Sequence, residues 1–124
     1  MAEQQTLRQN DPERFGHFSR QYEQLLSRSA ELRHFPRGPE RSEWVRQLAK
    51  QLGRQQARPR DVIELHRLGL ERLMREATGW KARALLEEGR LLVLELMGCL
   101  ADYYRERSGP APGSAQDSGD GTRA

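Results

Sequence analysis

Leu91-Leu92-Val93-Leu94-Glu95-Leu96-Met97-Gly98-Cys99-Leu100 sets eight apolar side chains into ten consecutive positions. With Glu95 inside it, the run is far short of the ~20 apolar residues that a membrane span needs. It lies within an uninterrupted helix expected over 80–106, with no proline along that length. A surface helix of a monomer shows one apolar stripe; a helix that is apolar nearly all round is buried on every side. Three further helices of a small chain cover about half of its circumference. A second copy of the chain is the simplest cover for the rest, since most soluble oligomers are symmetric homodimers. The competing arrangement is a fully internal helix, as in larger bundles. The dimer seam is therefore expected at Leu92, Leu96, Met97, Leu100 and Tyr104, and Gly69, Gly89 and Gly98 offer places for helix backbones to approach closely.

The rest of the chain agrees with a helical reading. Seventeen Leu and eleven Ala stand against seven Val, Ile and Thr together among 124 residues. Strands favour β-branched residues and helices favour Leu, Ala, Arg and Glu, so an all-α protein is expected. Asn10-Asp11-Pro12-Glu13 supplies a cap, a proline at the first helical position and an acid in the first turn. Phe15, Phe18, Tyr22, Leu25, Leu26, Ser29 and Leu32 then recur at steps of three and four, which predicts a first long helix over 12–34. His34-Phe35-Pro36-Arg37-Gly38-Pro39 breaks it. A second helix follows from Pro39 or Glu40 to Gln56, with Trp44, Val45, Leu48 and Leu52 inward. After Arg58-Pro59-Arg60, a third covers 59–77, with Val62, Ile63, His66, Gly69, Leu70 and Leu73 inward and Thr78-Gly79 ending it. The fold expected is an antiparallel four-helix bundle over 11–107, forming a helical homodimer. It is flanked by a flexible N-terminus at 1–10 and a disordered tail at 108–124 without large apolar side chains.

Charge is uneven. Residues 33–60 hold eight cations against Glu40 and Glu43, a local balance of +6 within a chain of net charge +3. Arg46, Lys50 and Arg54 lie a helical turn apart, a ridge that could meet nucleic acid or an acidic protein. An arginine-rich composition (19 Arg, 2 Lys) gives the plainer account, and Trp44 is the one aromatic in that helix, so nucleic acid is the second reading. One cysteine excludes an internal disulfide framework and fits a reducing compartment. The N-terminus lacks a basic-then-apolar signal, and a cytoplasmic protein is expected.

Constellations for catalysis are poor. Glu64 and His66 are two apart rather than three, and neither His17 nor His34 follows an acid at that spacing on a bundle face, so no metal is expected. Cys99 lies in the apolar run, where burial quenches a thiol. No phosphate-binding glycine loop occurs and no cofactor is expected. His66, on an apolar face, is expected to fix packing through a backbone carbonyl or a carboxylate such as Glu23 or Glu95.

Three motifs in order carry a resemblance. They are Tyr22-Glu23-Gln24-Leu25-Leu26-Ser27-Arg28, then Arg58-Pro59-Arg60-Asp61-Val62-Ile63-Glu64-Leu65-His66-Arg67. The third is Leu94-Glu95-Leu96-Met97 followed by Ala101-Asp102-Tyr103-Tyr104. Across 15–106 the chain resembles the N-terminal domain of RsbU-type serine phosphatases, and in layout it is similar to the related C-terminal domain of the circadian regulator KaiA. The resemblance implies a dimerising, non-catalytic helical domain that captures a switch kinase or a KaiC-like ATPase. It also implies a partner surface at the start of the second helix and on part of the last, which falls here near Pro39 and Glu43 and at Leu94. The loop before the second helix is about four residues longer here, and with a tail expected at 108–124 no attached phosphatase domain is expected. Taken with the ridge and the excess apolar helix, the expected partner residues are Arg41, Glu43, Trp44, Gln47 and Leu94. The expected function is that of a protein-binding regulator rather than an enzyme.

Overall fold

A computed structural model of the chain describes residues 5–32 and 39–108. Five helices follow one another: α1 (Leu7–Asn10), α2 (Pro12–Glu31), α3 (Pro39–Arg54), α4 (Pro59–Met74) and α5 (Gly79–Ser108). Among the described residues there is no strand, and the protein is all-α. The break expected at 34–38 lies outside the described residues, and so does the expected tail beyond Ser108.

Local chemistry sets the boundaries. Asp11 caps α2 by accepting the Arg14 amide at 3.1 Å, with Pro12 behind it where no helical donor is needed. At the end of α3 the chain reverses through a left-handed Gln56 (φ +60°). The Gln56 amide donates to Gly53 and the Ala57 amide to Leu52, the double bond pattern of a Schellman closure. Ala57 and Leu52 are both buried, which supplies the apolar contact that such closures carry. Gly79 (φ +58°) begins α5, so the glycine expected to terminate the third helix acts several residues after α4 has ended at Met74.

The first correction concerns residues 1–10, expected to be flexible. Residues 7–10 form α1, with a reciprocal cap between Thr6 and Gln9. Leu7 is buried in the core, and its amide donates to Asp61 Oδ1 at 2.9 Å. The other oxygen of Asp61 accepts the Arg58 amide at 2.7 Å, so one buried carboxylate ties α1 to the start of α4.

The core is one cluster drawn from all five helices, with Tyr22, Leu26, Leu52, Leu65, Leu85, Leu92 and Leu96 fully enclosed. α5, 30 residues and about 45 Å long, packs against α2, α3 and α4, most extensively against α3. Two further expectations change here. Ile63, assigned inward, is 53% exposed, because the buried side of α4 runs through Val62, Leu65 and Gly69 and leaves residue 63 on the far side. The assignment of Leu92, Leu96 and Leu100 to a dimer seam also fails: they are 0–2% exposed inside the chain's own core and have no surface to offer a second copy. Of the same set, Met97 is half-buried against that core, and the Tyr104 hydroxyl donates to the Ala57 carbonyl, anchoring the end of α5 on the α3–α4 turn.

Candidate protein-docking surfaces

Among the described residues, the expected site residues divide between two exposed faces and the interior. The first face is the seam between α2 and α3. Gln21, Gln24 and Arg28 of α2, with Trp44, Gln47 and Gln51 of α3, surround a groove of about 260 Å³ floored by Leu25 and Leu48. Periodicity explains the arrangement. Val45, Leu48, Ala49 and Leu52 turn into the core, which leaves Trp44, Gln47 and Gln51 along the edge facing α2. The Arg28 guanidinium sits 4.6 Å from the Trp44 ring centre, a cation–π contact across the groove. Gln21 Oε1 is buried and has no hydrogen-bond partner among the described residues.

Trp44 and Gln47, both expected from the sequence, thus line the groove. Glu43 stands in solvent beside it, and the hydrogen bond and charge of Arg46 (2.9 Å) hold its carboxyl below the ordinary range. Arg41 belongs elsewhere. Its Nη1 donates to Glu95 Oε1 at 2.6 Å and its Nε to Ser29 Oγ at 3.0 Å, with only 11% of the side chain exposed. It is an internal tie joining α2, α3 and α5 and cannot be a contact for a partner. The second residue of this tie, Glu95, is also one of the carboxylates expected to serve His66. His66 Nδ1 instead pairs with the Tyr22 hydroxyl at 2.7 Å. Burial lowers the His66 pKa and raises that of Tyr22, so both groups are neutral near pH 7.

The second open face is the outer side of α5. Leu94 is 65% exposed and Leu91 52%, the ground beside them being Gly98 and Ala101, both exposed. A Cβ added at Gly98 would meet nothing within 4 Å. Leu94, expected from the sequence, is therefore at the surface, but on this face rather than at the α2–α3 groove. Leu91 and Ala101 were missed, and Gly98 was marked as a close approach but not joined to this face. The 3.6-residue period of α5 would have placed them beside Leu94 once the inward line through Leu92, Leu96 and Leu100 was known.

The basic ridge is exposed as expected. Arg46 is paired with Glu43, however, and Lys50 shares a shallow hollow with Asp102 and Glu106 of α5. Cys99 lines the same hollow, half-buried, with its thiol pKa raised by desolvation. Among the described residues no group of three His, Cys, Asp or Glu is placed to hold a metal ion, and no helix is long and apolar enough to cross a membrane.

No family model matches this chain, and neither the curated proteins nor the solved structures contain a match to it. What fold and surfaces define is an all-α domain whose described residues include the α2–α3 groove and the exposed outer side of α5, and the phosphatase-like resemblance rests on the three motifs in the chain alone.

Proposed function

We propose that the chain is a non-catalytic, dimeric regulator that docks on a nucleotide-binding switch kinase or KaiC-like ATPase in the cytoplasm and modulates its activity. In this reading the four long helices form an antiparallel bundle, with α1 closing one end. The observation that carries the proposal is the α2–α3 groove, where a half-buried Trp44 lines the wall beside Arg28 above an apolar floor. Tryptophan and arginine are the residue types that concentrate binding energy at protein interfaces, above all in concave, water-excluding settings. Four glutamine side chains around them supply donors and acceptors for a partner's backbone or polar side chains. Leu94 passes from the partner surface to the self-association surface, because it lies on the outer side of α5. The mechanism is differential binding: the regulator shifts its partner only by the difference in its affinity for the partner's two conformations.

The test is affinity capture from native lysate with the wild-type chain and with Trp44→Ala as baits. A nucleotide-binding kinase or ATPase retained by the first and lost from the second supports the reading. Equal recovery on both baits overturns the groove assignment. Retention of RNA or DNA that vanishes with added salt would instead favour the basic ridge of Arg46, Lys50 and Arg54 as the working surface.

A further inference from the structure

We infer that the outer face of α5 is a self-recognition surface on which a second copy of the chain lies antiparallel, with the two-fold axis crossing at the height of Leu96. The inference rests on the self-association proposed above and adds its face and its register. Along the outer side of α5 the positions Glu87, Leu91, Leu94, Gly98, Ala101 and Arg105 recur at alternating steps of four and three. That is the a/d spacing of a seam between two helices. All but Glu87, which is half-buried, are exposed.

The seam matches its own reverse. Laid antiparallel about residue 96, Leu94 of one copy falls opposite Gly98 of the other, and Leu91 falls opposite Ala101. Large side chains thus meet small ones, and the open space over Gly98 receives a leucine. At the flanks Glu87 falls opposite Arg105, so acid meets base at each end of the seam. Every one of these contacts occurs twice, as a two-fold interface requires. The parallel pairing inverts all of them. Leucines would crowd leucines while Gly98 faced Gly98 across a gap, and Glu87 and Arg105 would each meet a like charge. The complementarity is of the face with itself, which is why a second copy rather than an unrelated helix is its occupant. The paired stretch is about 27 Å long. An interface this narrow sits at the small end of specific protein contacts.

Sedimentation equilibrium of the full chain over a wide concentration range, together with cross-linking, tests this. Gly98→Leu fills space that is empty in the single chain, so it should leave helix content and melting intact. It should also raise the dimer dissociation constant about tenfold or more. In a Cys99→Ser background, chains carrying Leu91→Cys mixed with chains carrying Ala101→Cys should form a disulfide-linked dimer under mild oxidation, and neither variant alone should do so. Cross-linking by Leu91→Cys alone would overturn the register in favour of a parallel pair while leaving self-association standing. A dimer indifferent to Gly98→Leu would move the interface off this face. A monomer at every concentration would overturn both the inference and the dimer, and would leave the α2–α3 groove reading to be judged by its own test.

Discussion

Gly53 and Gly98 are both helical glycines, and substitution should move stability in opposite directions at the two. Ala is about 0.5–1 kcal/mol better than Gly inside a helix, chiefly because it has less backbone freedom to lose. At Gly98 nothing opposes that gain in the single chain, since a Cβ there meets no atom within 4 Å. At Gly53 the same Cβ would run into the ring of Tyr103, which packs against α3 in the most extensive helix contact of the fold. Overpacking of that kind costs about 1–3 kcal/mol. Gly53→Ala should therefore lower the urea midpoint and Gly98→Ala should raise it or leave it unchanged, both measured at a concentration where the chain is monomeric. A rise for both would show that Tyr103 moves aside freely. The sequence marked Gly69, Gly89 and Gly98 as close approaches. The first two are so, against Tyr22 and His66, but Gly53 was passed over because its reason stands fifty residues away at Tyr103.

Two of the polar ties between elements reach from one helix face well into another. One joins α2 to α4 through Tyr22 and His66, and the other joins α2, α3 and α5 through Ser29, Arg41 and Glu95. The first makes stability depend on pH. Desolvation lowers the His66 pKa in the folded chain below the ordinary 6.5, so below that pH the unfolded chain binds more protons than the folded one. Stability is then full above about pH 6.5 and falls as the pH drops through the folded pKa. Urea melts at pH 7.5 and 5.5 should show this loss in the wild type and a smaller one in His66→Gln; identical losses would remove His66 as the cause. The second tie predicts that Arg41→Ala costs about 2–3 kcal/mol, because it strands Glu95 and Ser29 as well as losing the ion pair. Binding at the α2–α3 groove, read at a temperature where the variant is folded, should survive it. The inner faces of the helices were legible because their period repeats over many residues. These ties were not, since a charged residue near a helix start reads the same whether it turns outward to a partner or inward to a carboxylate 54 residues on.

At the scale of the whole molecule, prolines 12, 39 and 59 mark the starts of α2, α3 and α4, and that order was open to reading. α1 was not, because Leu7 stands without any periodic partner between residues 1 and 10. Its burial depends on a carboxylate at position 61 that accepts its amide, a long-range fact with no local signature. That link predicts that the N-terminal segment belongs to the cooperative unit. A chain beginning at Asp11 keeps the α2 cap but exposes the apolar surface that Leu7 covers, worth about 1.5–3 kcal/mol. It also deprives the buried Asp61 of one of its two backbone donors, at a further cost of about 1–3 kcal/mol. For a domain of this size each kcal/mol moves the melting temperature by about 4–8 °C, so the truncated chain should melt lower by about 10 °C or more. Leu7→Ala should account for part of that fall, and Asp61→Ala in the truncated chain should recover some of it, since the stranded carboxylate is then gone. An unchanged melting temperature on truncation would mean that α1 rests on the domain without stabilising it.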